Sequence, residues 1–287
     1  MRIANLSGRL VIVSDGNAVD VETASGGRFS ADPAAIYPRW AEFRGWADQT
    51  KLTDAHPFDP ADLGAPSPAP RQLFAIGLNY RAHARETGFA IPEDPPVFTK
   101  YVTSITGPIT EVALPENGHT DWEVELVVVV GNHAYQVPEA RAWSHVAGLA
   151  VGQDISERIG QMKGPSPQFS LAKSHPGFTA FGPWLVTPDE LELFALGDGR
   201  YNLSMVARVN GVERSRGNFR DIYYTFAQMI ARASRDAALY PGDVLGSGTV
   251  GSGCLLELTA GQGPWLAEGD EIELEITGLG ILRNQIV

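Results

Sequence analysis

Apolar residues along this chain gather in short blocks separated by glycine, proline and asparagine, which is the spacing of strands and tight turns. Leu10-Val11-Ile12-Val13 and Ala18-Val19-Asp20-Val21 predict two early strands, and the stretch from Ala34 to Trp46 predicts a helix. Farther on, Leu73 to Gly77, Leu126 to Val130, Val146 to Val151, Trp184 to Val186, Met205 to Val209, Cys254 to Leu258 and Glu271 to Ile276 all read as strands. Two helices interrupt them. Tyr80 to Glu86 forms the first, with Gly88 as its stop. Thr225-Phe226-Ala227-Gln228 opens the second with a capping box, and Phe226, Met229, Ile230 and Ala233 recur at helical spacing on its core face. Ala65-Pro66-Ser67-Pro68-Ala69-Pro70 alternates proline, so it excludes helix and favours an extended, polyproline-like linker. The expected division is therefore a small N-terminal domain over residues 1–70 and a larger, β-rich domain over 71–287.

Composition narrows the classes of function more than it narrows the fold. The 287 residues are 44% hydrophobic and 20% charged, within the ordinary globular range, and no apolar run approaches the roughly 18 residues that span a membrane. Met1-Arg2-Ile3-Ala4-Asn5 lacks a secretory apolar core, and a single cysteine, Cys254, excludes an internal disulfide framework. A cytoplasmic protein is expected. The net charge of -12, without clustered Lys and Arg, argues against nucleic acid.

One charge pattern departs from this picture. Asp121-Trp122-Glu123-Val124-Glu125 runs directly into Leu126-Val127-Val128-Val129-Val130, so two carboxylates head an apparently buried strand. Side chains alternate along a strand, which places Glu123 and Glu125 on one face. Like charges there repel and lose hydration, and a cation relieves both costs. Asp154 closes another apolar run, Val146 to Gln153, and offers a third oxygen ligand. An all-oxygen set suits Mg²⁺, Mn²⁺ or Ca²⁺ rather than zinc. Spacing alone fits equally well a solvated edge strand with Asp154 capping a turn. A second constellation pairs His83 with Glu86 at i, i+3, which lets the carboxylate orient the imidazole as a base, although surface pairs share this spacing.

Other signals carry less. Gly246 to Gly251 fits G-x-G-x-x-G, but no long helix can follow it past Gly261, Gly263 and Pro264, so a dinucleotide site is rejected. Cys254 reads as a small core residue on a strand, His119 as a surface-loop histidine, and Trp46 and Trp265 as packing residues. His56, His133, His145 and His175 have no identifiable partner in the sequence.

A series of motifs in fixed order carries a resemblance. It comprises Gly77-Leu78-Asn79-Tyr80 with His83 and Glu86, Val97-Phe98-Thr99-Lys100, Asp121 to Leu126, Gln153 to Arg158, and Lys173-Ser174 with Phe181-Gly182-Pro183-Trp184. Val209-Asn210-Gly211, Gly217-Asn218, Tyr240 to Leu245, Gly248-Thr249 and the ending Gly278 to Asn284 complete it. From Gln72 to Val287 the chain resembles the fumarylacetoacetate hydrolase family, which cleaves or rearranges 2-oxo acids at a divalent metal. The resemblance implies Glu123, Glu125 and Asp154 as ligands to Mg²⁺ or Mn²⁺, with Ca²⁺ as a further candidate. It implies a water-activating dyad of His83 and Glu86, Lys173 at the substrate or its oxyanion, Thr249 at the substrate carboxylate, Arg81 as a further substrate contact, and Lys100 as either a substrate contact or a brace of the site. It also implies an α+β, β-rich fold, a mixed β-roll or sandwich with a small α/β N-terminal domain, assembled as a homodimer. The expected activity is metal-dependent hydrolysis of a C–C bond in an acylpyruvate or related 2,4-dioxo acid. Decarboxylation of oxaloacetate, or hydration or isomerisation of an unsaturated 2-oxo diacid, is the alternative, and a silent ligand-binding scaffold a third reading. The chain departs from the family in two places. Many members read Asn-Asp-Val-Ser-Ala-Arg-Asp where this chain has Gln153 to Ile159, and Thr-Gly-Thr-Pro where it has Ser247 to Val250.

Overall fold

The computed structural model describes residues 1–86 and 93–287, except the side chains of residues 84–86. The larger sheet runs in the order His56–Pro57, Asn17–Asp20, Arg9–Ser14, Arg2–Leu6, Thr179–Val186, Val146–Asp154, Val124–Val130, Val244–Thr249, Leu73–Ile76, Val97–Lys100. Arg2–Leu6 pairs antiparallel with Thr179–Val186, so the N-terminal strands continue the sheet that carries the central motifs. The 65–70 run is irregular and largely buried. It is pinned at both ends of the fold: Tyr37 Oη donates to Pro66 O at 2.9 Å and Ser67 Oγ to Gly242 O at 2.7 Å.

A second sheet, Val212–Asn218, Ser204–Val209, Glu271–Ile276, Gly280–Ile286 and Ile109–Val112, packs across one face of the first. Strand Val124–Val130 explains its run of valines by this placement. Val124, Leu126, Val128 and Val130 join the core shared with the second sheet, whereas Val127 and Val129 join a core formed with Phe29, Ile36, Trp40 and Phe43. Both faces are covered, so the apolar run is continuous instead of alternating. Glu123 and Glu125 share the register of Val127 and therefore look toward the second of these cores, at its margin.

The expected helix from Thr225 is Phe226–Asp236, with both halves of the capping box formed. Ala34 to Trp46 resolves into a 3-10 turn, Pro33–Arg39, followed by helix Trp40–Ala47, because Pro38 cannot supply an amide inside a regular helix. Cys254 to Leu258 is not a strand. Leu255–Leu258 is a single helical turn whose first amides donate to the Asp121 carboxylate, Leu255 N at 2.6 Å and Leu256 N at 3.0 Å. A short apolar run lacks a decisive period, and here a distant carboxylate sets its conformation. No helix among the described residues is long and apolar enough to cross a membrane.

Candidate metal centre

Glu123 lies just ahead of strand Val124–Val130 and Glu125 one residue inside it, while Asp154 ends the neighbouring strand Val146–Asp154. Asp154 N donates to Glu123 O at 3.0 Å, which fixes the two chain segments side by side. The three carboxylates are all buried, with ligand oxygens within 4.8 Å of one another. The solvated-edge reading is thereby excluded.

Their environments differ. Glu123 accepts from Arg158 Nη2 at 2.7 Å and Lys173 Nζ at 3.0 Å. Asp154 accepts from Lys100 Nζ at 2.5 Å and Lys173 Nζ at 2.8 Å. Among the described residues no hydrogen bond or ion pair reaches the Glu125 carboxylate. Burial, with repulsion from Asp154 and Glu123, drives its pKa well above the ordinary glutamate range. Burial also works on Glu123, but Lys173, Arg158 and His83 outweigh it and hold that group below its ordinary value. A Cβ at Gly246 would crowd Glu125 Oε2, so a larger residue there would displace the tip of that carboxylate. A cavity of ≈ 20 Å³, about the room of one water-sized particle, adjoins Glu125, Asp154, Lys100 and Gly246. A buried, unpartnered carboxylate beside two others, with open space next to it, fits a hard divalent cation.

Lys173 and Lys100 are both nearly inaccessible and both clamp Asp154. For Lys173, burial opposes the charge but Asp154 and Glu123 prevail, leaving its pKa raised. Two residues that sequence reasoning missed complete the frame. Arg158 Nε and Nη2 donate to Asp121 Oδ2 at 2.9 and 2.7 Å, and Asp121 in turn caps the turn at Leu255. Both stand inside motifs already noted, and a buried Arg paired with two acids would have been the signal.

His83 sits on helix Arg81–Glu86. The side chain of its expected partner, Glu86, lies outside the described residues. The carboxylate that meets His83 Nδ1 is Glu257, 174 positions away, whose other oxygen accepts from Gly253 N at 2.9 Å. Glu257 was hidden in the run read as a strand. Thr249 pairs in register with Glu125 and donates to Gly253 O at 3.2 Å, so it borders the centre. Arg81 stacks over Tyr223 at 4.5 Å. His119 stacks on Trp265 at 5.0 Å. Cys254 is fully buried, and burial pushes its thiol up, which leaves it inert.

The departure at Glu157 has a structural reason. Its carboxylate accepts from Ile159 N at 2.9 Å and Gly160 N at 2.5 Å, capping turn Arg158–Gln161, and from His119 N at 2.9 Å. Burial would raise its pKa, but these amides outweigh burial and lower it. A depressed carboxylate contributes stability that is present above the unfolded-state pKa and fades as pH falls through the folded one. Glu157→Ala should therefore cost about 1 kcal/mol at pH 7, and urea unfolding at pH 7 and at pH 3 should show that cost shrinking in acid.

Known proteins resemble this chain over most of its length. The model of the fumarylacetoacetate (FAA) hydrolase C-terminal domain matches residues 72–287. A 2,4-didehydro-3-deoxy-L-rhamnonate hydrolase from Sphingomonas sp. is 42% identical over 227 residues, 78% of this chain and 75% of its own length. The mitochondrial oxaloacetate tautomerase FAHD2A of Homo sapiens is 36% identical over 225 residues, 78% of this chain and 68% of its own. The crystal structure of a protein assigned as HpcE from Mycobacterium smegmatis superposes with a TM-score of 0.91 at 44% identity, covering 100% of this chain and 99% of that one.

Proposed function

The chain belongs to the fumarylacetoacetate hydrolase family, and from that premise we propose that it hydrolyses a C–C bond in an acylpyruvate or related 2,4-dioxo acid. The observation that carries the proposal is the buried Glu123, Glu125 and Asp154 cluster with the His83–Glu257 pair beside it. These three carboxylates would hold Mg²⁺ or Mn²⁺, which supplies a Lewis acid for the carboxylate and keto oxygens of a 2-oxo acid.

The remaining work belongs to the side chains. Glu257 holds the His83 imidazole through Nδ1 and orients the ring as the base that takes a proton from water. The water oxygen adds to the distal carbonyl, and the C–C bond breaks with its electron pair going to the pyruvate enolate. A proton returned to that carbon gives pyruvate, and the former acyl group leaves as a carboxylic acid. Lys173 and Lys100 lock the Asp154 carboxylate between them, so the oxygens keep their places while substrate enters. Thr249, in register with Glu125, would turn its hydroxyl from Gly253 O to donate to a substrate carboxylate.

A second reading is enolate chemistry without an attacking water, tautomerisation or decarboxylation of oxaloacetate. The relationship to a protein named as an oxaloacetate tautomerase favours it. Assaying purified protein against acetylpyruvate and oxaloacetate, with Mg²⁺ or Mn²⁺ and then with excess chelator, separates the two. Pyruvate released from acetylpyruvate only with metal supports hydrolysis. Undiminished turnover in chelator would remove both readings.

A further inference from the structure

Two phenylalanines share backbone elements with the two lysines of the centre. Phe98 and Lys100 lie two apart on strand Val97–Lys100 and so on one face. Phe169 begins the short helix Phe169–Ala172, which Lys173 caps, four positions on. The two rings stack at 5.1 Å and 26°, and Lys173 Nζ lies 5.5 Å from the Phe98 centroid. Both rings are only half-buried, although both adjoin a lysine that is 3% exposed. Turn Arg158–Gln161 packs beside Phe169–Ala172 and presents Ile159, 47% exposed, next to the Arg158 that holds Glu123.

We propose that Phe98 and Phe169, with Ile159 at the rim, form the subsite for the distal end of the substrate, and that this end is an uncharged apolar or aromatic group. The inference rests on the 2-oxo-acid reading above and names the substrate class within it. With its carboxylate toward Thr249, on one side of Glu125, a 2-oxo acid bound at this centre would extend its acyl side toward Lys173, which holds Asp154 on the other side, and the surface that continues from Lys173 is aromatic. Half-buried rings gain from being covered by an apolar chain, whereas a distal carboxylate would lose hydration against them. Continuity with the lysine is what assigns this face to the substrate instead of a second copy of the chain.

The test uses binding, not turnover. Mn²⁺-loaded protein is titrated calorimetrically with oxalate, oxamate, N-phenyloxamate, N-hexyloxamate and N-oxalylglycine, and its mass in solution is measured. N-phenyloxamate and N-hexyloxamate should bind at least about tenfold more tightly than oxamate or the carboxylate-tipped N-oxalylglycine. Phe98→Ala and Phe169→Ala should reduce that preference to about threefold or less while oxalate affinity holds. Equal affinities across the wild-type series, or preference for N-oxalylglycine, would overturn the subsite and leave the 2-oxo-acid reading standing. So would variants that retain the preference but change the oligomeric state. Failure of oxalate itself to bind would overturn that reading and the subsite together.

Discussion

Glu125→Gln should abolish turnover and, at the same time, make the metal-free protein harder to unfold. Glu125 is buried, meets no donor among the described residues, and faces the charges of Asp154 and Glu123. An isosteric amide removes the repulsion and the desolvated charge, and its N–H group can donate to a neighbouring carboxylate. Replacing uncompensated buried charge in this way stabilises by about 1–3 kcal/mol, a few degrees of Tm for a chain of this size. Loss of one of three anionic ligands should reduce turnover by about 10³-fold or more. Thermal unfolding in chelator and in Mg²⁺ shows both effects. Wild-type Tm rises with Mg²⁺, and the variant starts higher and does not respond. A variant less stable in chelator, or one stabilised by Mg²⁺ as fully as wild type, would show that Glu125 is held by something other than a cation.

His83→Ala should divide the two chemistries. Removing a general base costs typically about 10²–10⁴-fold, so release of pyruvate from acetylpyruvate should fall by that amount. Oxaloacetate decarboxylation, which needs no attacking water, should change by less than about tenfold. Glu257 acts through His83 and is a positioning residue. Glu257→Gln keeps an acceptor for Nδ1 but loses the negative charge, so kcat for hydrolysis should drop with KM nearly unchanged. A proportional rise in KM would assign Glu257 to binding instead. Equal losses in both chemistries for His83→Ala would mean the imidazole serves the enolate and not the water.

What the sequence made legible follows from the range over which each interaction acts. The Phe226–Asp236 helix was readable because its cap and its apolar face are local. The carboxylate pair was readable because strand alternation places Glu123 and Glu125 together, and Asp154 ends an adjacent run of the same kind. Glu257 could not be found that way. It reaches His83 only because Asp121, 136 positions before it, captures the amides of Leu255 and Leu256 and turns an apolar tetrapeptide into helix. Arg158 was legible as part of a motif but not as a ligand, because its partners Asp121 and Glu123 converge on it only through pairing of Thr120–Asp121 with Ser156–Glu157. The join between Arg2–Leu6 and Thr179–Val186 is likewise a non-local pairing with no sequence signature.

Glu123, Glu125 and Asp154 together should hold a divalent cation which in turn binds a 2-oxo acid. Calorimetric titration of metal-stripped protein with Mn²⁺, alone and in saturating oxalate, tests it directly. The expected result is one ion per chain and mutual enhancement, with oxalate raising Mn²⁺ affinity by the same factor by which Mn²⁺ raises that of oxalate. Oxalate binding of equal strength with and without Mn²⁺ would contradict it.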